Sequence, residues 1–396
     1  MKITIIGAGY VGLVTAACFA ELGNTVTCVD IDKNRVNMIN SGKAPMYEPG
    51  LDDLLKRHVG KNIKATDNIL QKDFDVAFIC VGTPSKNDGS TNLDFIKSAA
   101  KDIGLAIKQK TSYSVVIIKS TVPPGTTESI IPAIEKESGK KCGRDFGIVM
   151  NPEFLPEGRA IQDFMEPDRT VIGAFDDLSY DTMKKLYIAM KTPVIRTNLR
   201  TAEMIKYTSN SFLATKISFA NEIGNVCKQL GIDVYEVMDV VGQDKRIGRL
   251  FLNSGIGYGG SCFKKDLNSL IHTAKKNKIE PKILTAVNDV NEIQPLRILT
   301  LAKNKLGTLT GKNIIILGLA FKPDSDDMRE APSIYVINQL LAGGAIIKAY
   351  DPAALENTKK ILGNKIQYAT SLKDALSFGD IIFILTEWKE FCGIPQ

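Results

Sequence analysis

The 396-residue sequence predicts an α/β protein with two doubly wound parallel-sheet domains joined by a helical central domain built on one long helix. Three observations carry this expectation. Short β-rich runs alternate with helical patterns over the first half, the signature of a parallel sheet with crossover helices. One helical pattern then runs from Thr201 to about Leu230, and a second set of alternating patterns begins at Lys312. The chain is too long for a single core, and the boundaries fall at 1–198, 199–309 and 310–396.

In the first domain the strands are read at 3–6, 26–30, 76–81, 115–120 and 147–151, with 193–196 added as an edge strand. Met204, Ile205, Phe212, Leu213, Ile217, Ile223 and Val226 supply the long helix with apolar positions at mixed spacings of three and four. A helix of that length suits a spine between domains or across a dimer. Helices at 234–241, 264–276 and 281–306 make the middle all-helical. In the last domain, strands are read at 313–318, 346–350 and 381–385, and a helix at 334–342.

The bulk properties exclude several classes. Hydrophobic residues at 44% and charged residues at 24% suit a soluble globular chain, and no apolar run approaches a bilayer span. The net charge of +6 comes without a Lys/Arg block interleaved with aromatics. Nucleic acid is therefore not expected as a partner, and a small anionic substrate fits the charge equally well. The N-terminus enters a strand directly, without a signal-peptide pattern. Cys18, Cys28, Cys80, Cys142, Cys227, Cys262 and Cys392 form an odd, scattered set, and His58 and His272 are the two histidines. Reduced thiols in a cytoplasm are expected, with no metal, no disulfide framework and no Ser-His-Asp triad.

Gly7-Ala8-Gly9-Tyr10-Val11-Gly12 follows a strand and opens a helix. Gly7 permits the tight turn, Gly9 lets backbone approach a pyrophosphate, and Gly12 lets helix pack on strand. Asp30, at the end of the second strand, is placed to accept from an adenosine ribose, so the domain reads as a Rossmann-like dinucleotide site. The Asp30 carboxylate would repel a 2′-phosphate and favours NAD over NADP; Lys33 and Arg35 nearby act against it. Val81-Gly82-Thr83-Pro84 and Ser120-Thr121-Val122-Pro123-Pro124-Gly125 both end strands at the carboxyl edge, where such folds bind ligands. Ordinary turn chemistry explains each of them equally well.

Gly257-Tyr258-Gly259-Gly260-Ser261-Cys262-Phe263-Lys264-Lys265-Asp266 places a cysteine where a helix begins. Backbone N–H groups and the helix dipole there favour thiolate over thiol, and Asp266 falls on the same helical face. Taken alone, a buried cysteine after a flexible loop is the plainer alternative.

Several segments occur in a fixed order: Ser120-Thr121-Val122-Pro123, Asn151-Pro152-Glu153-Phe154-Leu155-Pro156-Glu157-Gly158, Lys206 with Asn210, Gly259-Gly260-Ser261-Cys262-Phe263, and Phe321-Lys322. Together they resemble the UDP-glucose 6-dehydrogenase family, with GDP-mannose dehydrogenases as near relatives, over almost the entire chain. The resemblance implies NAD as cofactor, a homodimer built on the central helix, and a nucleotide-sugar carboxylate made for polysaccharide biosynthesis. Alcohol to acid is a four-electron change, so two hydrides leave and two NAD are consumed. On that reading Cys262 thiolate forms a thiohemiacetal that is oxidised to a thioester and then hydrolysed. Lys206 and Asn210, one helical turn apart, point at the C6 oxygen as donors; the plainer alternative for Lys206 is a solvated charge paired with Glu203.

The resemblance further implies that Asp266 and Thr121 hold a water, with Glu153 and Glu157 assisting. Lys265 and Arg329 would touch the nicotinamide cofactor, joined in the cofactor set by Tyr10, Val11, Arg35, Thr83, Thr121 and Glu157. Arg246, acting from the partner subunit, and Lys322 would meet the sugar diphosphate. Glu153, Phe154, Leu155, Phe251, Leu252, Tyr258, Gly259, Phe263 and Phe321 complete the substrate set. Ser261 and Phe263 resemble the UDP-glucose branch, so UDP-glucose is expected over UDP-N-acetylmannosamine and GDP-mannose.

The sequence ends at Gln396, soon after Thr386-Glu387-Trp388, where family members continue into a helix and a strand with an Asp-Gly-Arg-like motif. The expectation is normal NAD affinity, weakened UDP-sugar binding, low turnover and an open sheet edge at 381–385. Two rivals stand beside this reading. Tyr187 and Lys191 match a short-chain reductase YxxxK pair but follow the wrong glycine pattern, and a catalytically impaired, NAD-binding regulator is the non-enzymatic alternative.

Overall fold

The computed structural model describes residues 1–68, 73–190, 192–379 and 381–394. Packing divides the chain into two units, Met1–Thr208 and Ser209–Gln396, the division falling inside the long helix. Lys191 of the YxxxK pair lies outside the described residues.

The first unit carries eight strands: β1 (Lys2–Ile6), β2 (Thr25–Val29), β3 (Ile63–Thr66), β4 (Val76–Ile79), β5 (Ser114–Ile118), β6 (Phe146–Met150), β7 (Thr170–Ala174) and β8 (Val194–Thr197). Their order is β3-β2-β1-β4-β5-β6-β7-β8. All neighbours are parallel except β6 and β7. The order reverses between β1 and β4, the point where a doubly wound sheet opens a crevice at its strand carboxyl ends. Both faces are covered, and this is why the central strands read as continuous apolar runs. Along β5, Val115 and Ile117 enter one core while Val116 and Ile118 enter the core on the opposite face. The edge position of β8 agrees with the sequence reading. Strands β3 and β7 were not expected: β3 buries only Ile63 fully, and β7 ends in Gly173-Ala174, a poor strand signal.

The long helix covers Leu199–Leu230, 32 residues. Helices follow at Val234–Val241, Phe263–Lys276 and Lys282–Leu306, the last with Pro295 buried inside it. A four-stranded parallel sheet comes next: β9 (Asn313–Leu317), β10 (Ile346–Tyr350), β11 (Gln367–Tyr368) and β12 (Ile381–Ile384), in the order β11-β10-β9-β12. Helix Pro332–Ala342 starts with proline, whose missing N–H costs nothing there. It packs Val336, Ile337 and Leu340 on Ile314 and Ile316. Among the described residues, no helix is long and apolar enough to cross a membrane.

Candidate active site

In the first unit, β1 ends on Gly7 at φ 90°, where a Cβ would lie 2.8 Å from the carbonyl oxygen of Cys80. A Cβ on Gly12 would lie 1.9 Å from the carbonyl oxygen of Gly7, so helix and strand meet backbone to backbone. Around Gly9 nothing comes within 4 Å of that point. Gly9 also caps helix Tyr10–Glu21 without a side-chain hydrogen bond, leaving the first-turn N–H groups, Val11 among them, to an anion. These residues fit a dinucleotide pyrophosphate. Asp30, 6% exposed, accepts from the N–H of Ala8 (2.8 Å) and from Arg35 Nη1 (2.9 Å) on one oxygen, and from the N–H of Asp32 (2.9 Å) on the other. It thereby holds the glycine loop against β2. Tyr10 donates its hydroxyl to Glu48, which also accepts the N–H of Gly158 at 2.7 Å. Burial, then Glu48, push the Tyr10 phenol well above its ordinary value. Glu48 escaped the sequence reading because no motif surrounds it.

Thr83 donates to the carbonyl oxygen of Thr121 at 3.0 Å, joining the loops after β4 and β5. Lys206 pairs with Glu153 at 2.9 Å, their side chains only 5% and 7% exposed. The alternative pairing of Lys206 with Glu203 is therefore corrected. Glu203 is fully buried and accepts from the N–H of Gly125 (2.5 Å), the N–H of Thr127 (2.7 Å) and the Thr127 hydroxyl (2.6 Å). Burial raises the Glu203 carboxyl against the pull of those donors. For Glu153, burial would also raise the carboxyl, but Lys206, the N–H of Leu155 and Lys119 overcome it and hold it below the usual value. Leu155 donates that N–H at 2.6 Å. The Phe154 ring lies 5.4 Å from Lys206 Nζ and 4.2 Å from the Arg169 guanidinium. Glu157 is half-buried on the same loop.

In the second unit, Cys262 is exposed and caps helix Phe263–Lys276. Its carbonyl accepts the N–H of Asp266 at 2.8 Å, and Ser261 Oγ lies 3.5 Å from its sulfur. Asp266 is 1% exposed; one oxygen accepts from Asn210 Nδ2 at 2.6 Å and the other from Lys265 Nζ at 2.5 Å. Four of the expected residues thus meet at one helix start. The glycine loop is shaped by close approaches. A Cβ on Gly259 would lie 2.4 Å from the carbonyl oxygen of Glu330, and one on Gly260 would lie 2.8 Å from the Phe321 ring. Asn291, which no motif marks, accepts the N–H of Tyr258 (2.8 Å) and donates to its carbonyl oxygen (3.1 Å). Phe263 meets Tyr258 edge-on at 5.7 Å and Phe251 at 6.4 Å. Phe251 sits at φ 67°, a strained conformation for an aromatic residue, and Leu252 is buried beside Val234 and Met238. Lys322 Nζ lies 5.6 Å from the Phe321 ring. Arg246 and Arg329 each close on an aspartate two residues earlier, Asp244 and Asp327, at 2.6 Å.

Comparison with known proteins runs the length of the chain. Residues 1–191 match the NAD binding domain of the UDP-glucose/GDP-mannose dehydrogenase family, 200–293 its central domain and 315–395 its UDP binding domain. UDP-glucose 6-dehydrogenase AglM of Haloferax volcanii is 45% identical over all of this chain and 93% of its own length. The structure of a UDP-glucose dehydrogenase from Pyrobaculum islandicum superposes with a TM-score of 0.96 at 40% identity, covering 100% of this chain and 91% of that one. A UDP-D-ManNAc dehydrogenase from Pyrococcus horikoshii reaches 0.87 at 30% identity over 100% and 91%. Glycine fingerprint, helix-capping cysteine and all three matched domains agree: this chain belongs to the UDP-glucose/GDP-mannose dehydrogenase family.

Proposed function

We propose that the chain oxidises the C6 alcohol of UDP-glucose to the carboxylate, through a covalent intermediate on Cys262. The observation that carries this is the exposed Cys262 sulfur at a helix N-cap, one turn from the buried Asp266 held by Asn210 and Lys265. Bound NAD supplies a hydride acceptor, once for each of two oxidations. In the first, the alcohol loses a hydride and a proton and becomes an aldehyde. The Cys262 thiolate then adds to that carbon, giving a thiohemiacetal alkoxide whose loss of a second hydride leaves a thioester. Water adds to the thioester carbon and breaks the C–S bond, returning the thiolate and releasing the carboxylate and two protons. Lys206 and Asn210 donate to the C6 oxygen while it carries negative charge. Asp266 and Thr121 orient the hydrolytic water, and Glu153 and Glu157 support them.

On this reading 1–198 holds NAD, 199–309 brings Cys262 and a dimer contact, and 310–396 holds the UDP moiety through Phe321 and Lys322. The dimer is supported by Phe212, Phe219 and Val226, which recur every seventh residue on the long helix and are 64%, 55% and 51% exposed. Seven free cysteines suit a reducing cytoplasm. The substrate assignment follows the higher identity to UDP-glucose enzymes than to the UDP-D-ManNAc enzyme. The test is Cys262→Ala in the full chain. NAD binding should persist while formation of UDP-glucuronate is lost. Release of the acid at the native rate would refute the covalent route, and a higher kcat/KM for GDP-mannose would refute the substrate.

A further inference from the structure

Two lysines accompany one carboxylate at the end of the first sheet, and the proposed chemistry uses only Lys206 and Glu153. The other is Lys119, the residue after β5, which is 3% exposed. It donates to Asn151 Oδ1 at 3.1 Å, an oxygen that also accepts from the Tyr187 hydroxyl at 2.5 Å. The amide is fixed from its other side, where Asn151 Nδ2 donates to the carbonyl oxygen of Val171 at 2.8 Å. Asn151 opens the 151–158 loop that carries Glu153 and Glu157, and Lys119 stands two residues before Thr121. Lys119 also borders a cavity of about 170 Å³ shared with Glu153, Phe164 and Tyr187, with its ammonium 5.9 Å from the Phe164 ring.

The fold does not need an ammonium here. Asn151 has Tyr187 and Val171 without it, and burying a lysine charge costs more than burying a neutral chain of equal length. Desolvation pushes Lys119 down to about 8, opposed by Cys80 and Glu153, with Lys206 adding to the lowering and Cys18 opposing it. Burial pushes the Cys18 and Cys80 thiols up to about 12, so at neutral pH they carry no charge. Arg159, Asp163, Glu166, Asp168 and Arg169 also line the cavity. Of the charged groups that act on Lys119, Glu153 is negative and Lys206 positive.

We propose that Lys119 is a positioning residue of the reaction: anchored on Asn151 at the head of the 151–158 loop, its ammonium group holds the Glu153 carboxylate in place beside Lys206. The inference rests on the reading in which Lys206 donates to the C6 oxygen and Glu153 supports the residues that orient the hydrolytic water. Against burial, Lys206, the N–H of Leu155 and Lys119 together hold the Glu153 carboxyl below its usual value.

The test compares kcat against pH for the full chain and for Lys119→Met, Lys119→Gln, Lys119→Arg and Glu153→Gln, with NAD and UDP-glucose. Lys119→Met and Lys119→Gln should lower kcat by roughly 10-fold, leave KM for NAD unchanged, and move the acidic limb upward, because the Glu153 carboxyl loses one of the charges that hold it down. Lys119→Arg should recover most of the rate. Native kcat and an unmoved limb in both neutral variants would overturn the proposal. Equal loss in all three Lys119 variants with an unmoved limb would overturn it too, as would a charge-dependent failure to fold, in which only Lys119→Arg folds. Native kcat in Glu153→Gln would instead refute the underlying reading of the Glu153–Lys206 pair.

Discussion

The two sheets turn the same corner and use it differently. In the first, β1 ends on Gly7 at φ 90°, the N–H of Gly7 donates to the carbonyl oxygen of Val29 at 2.8 Å, and the N–H of Ala8 donates to Asp30. In the second, β9 ends on Gly318 at φ 87°, the N–H of Gly318 donates to the carbonyl oxygen of Tyr350 at 2.9 Å, and the N–H of Leu319 donates to Asp351 at 2.7 Å. Each glycine is pressed against the end of the neighbouring strand, Cys80 after β4 or Thr386 after β12. Beyond the glycine the two chains diverge. A helix begins at Tyr10 in the first sheet, and its counterpart in the second waits until Pro332. The first corner thus offers a helix N-terminus to a pyrophosphate, and the second offers a loop bearing Phe321, Lys322 and Arg329. The aspartates part company as well. Asp351 is 1% exposed and also accepts from Ala320, Ala353, Ala354 and the Trp388 indole, so every face of its carboxylate is occupied by protein. The glycine-aspartate corner is scaffolding, and only the first sheet leaves its aspartate partly available to a ligand.

Three experiments probe this contrast. Asp351→Ala removes the acceptor of five donors and should cost on the order of 4 kcal/mol of stability, a large part of a domain's margin. Denaturant unfolding would show it, and a loss smaller than that of Asp30→Ala would erase the distinction between the two corners. Asp30→Ala should destabilise by only about 1–2 kcal/mol, yet weaken NAD by roughly 10- to 150-fold and relax discrimination against NADP. Calorimetric titration with both dinucleotides checks this; unchanged NAD affinity would make Asp30 structural like Asp351. A third effect concerns the lysines. Lys119 lies on a neutral amide, whereas Lys348 of β10 lies on the Asp374 carboxylate at 2.5 Å. Between about 8 and 10.5 the unfolded chain keeps a Lys119 proton that the folded chain has released. Stability from this group therefore rises with pH across that window and is fully forfeited below it. Relative to the parent chain, Lys119→Met should thus lose its stability advantage as pH rises from 7 to 10. A pH-independent difference in melting temperature would contradict the buried charge.

Much of this was legible in the sequence because the signals are local. The read strands fall within a residue or two of those observed, since apolar runs such as 115–118 belong to buried parallel strands. Cys262 was placed at a helix start by the glycines before it and the helical pattern after it, and so it stands. The polar hubs were not legible. Glu48, Asn151, Glu203 and Asn291 act on backbone groups 20 to 110 residues away, and nothing in their neighbouring residues announces the partner. The second corner was missed for a related reason. Its glycine lacks the two that come after Gly7 in the first, so only the tertiary bond from Leu319 to Asp351 reveals the likeness.

Glu203 has a consequence for anyone exchanging parts between relatives. Its carboxylate fastens the turn at Gly125 and Thr127 to the long helix, one turn ahead of Lys206. The stretch bearing Thr121 and the helix bearing Lys206 are therefore riveted together through a buried carboxylate held by amide and hydroxyl donors. A chimera joined near residue 198, a tempting seam, would inherit the rivet from one parent and its socket from the other. Where position 127 offers no hydroxyl, such a hybrid leaves Glu203 with the amide donors of 125 and 127 alone and loosens the hold of the helix on that turn.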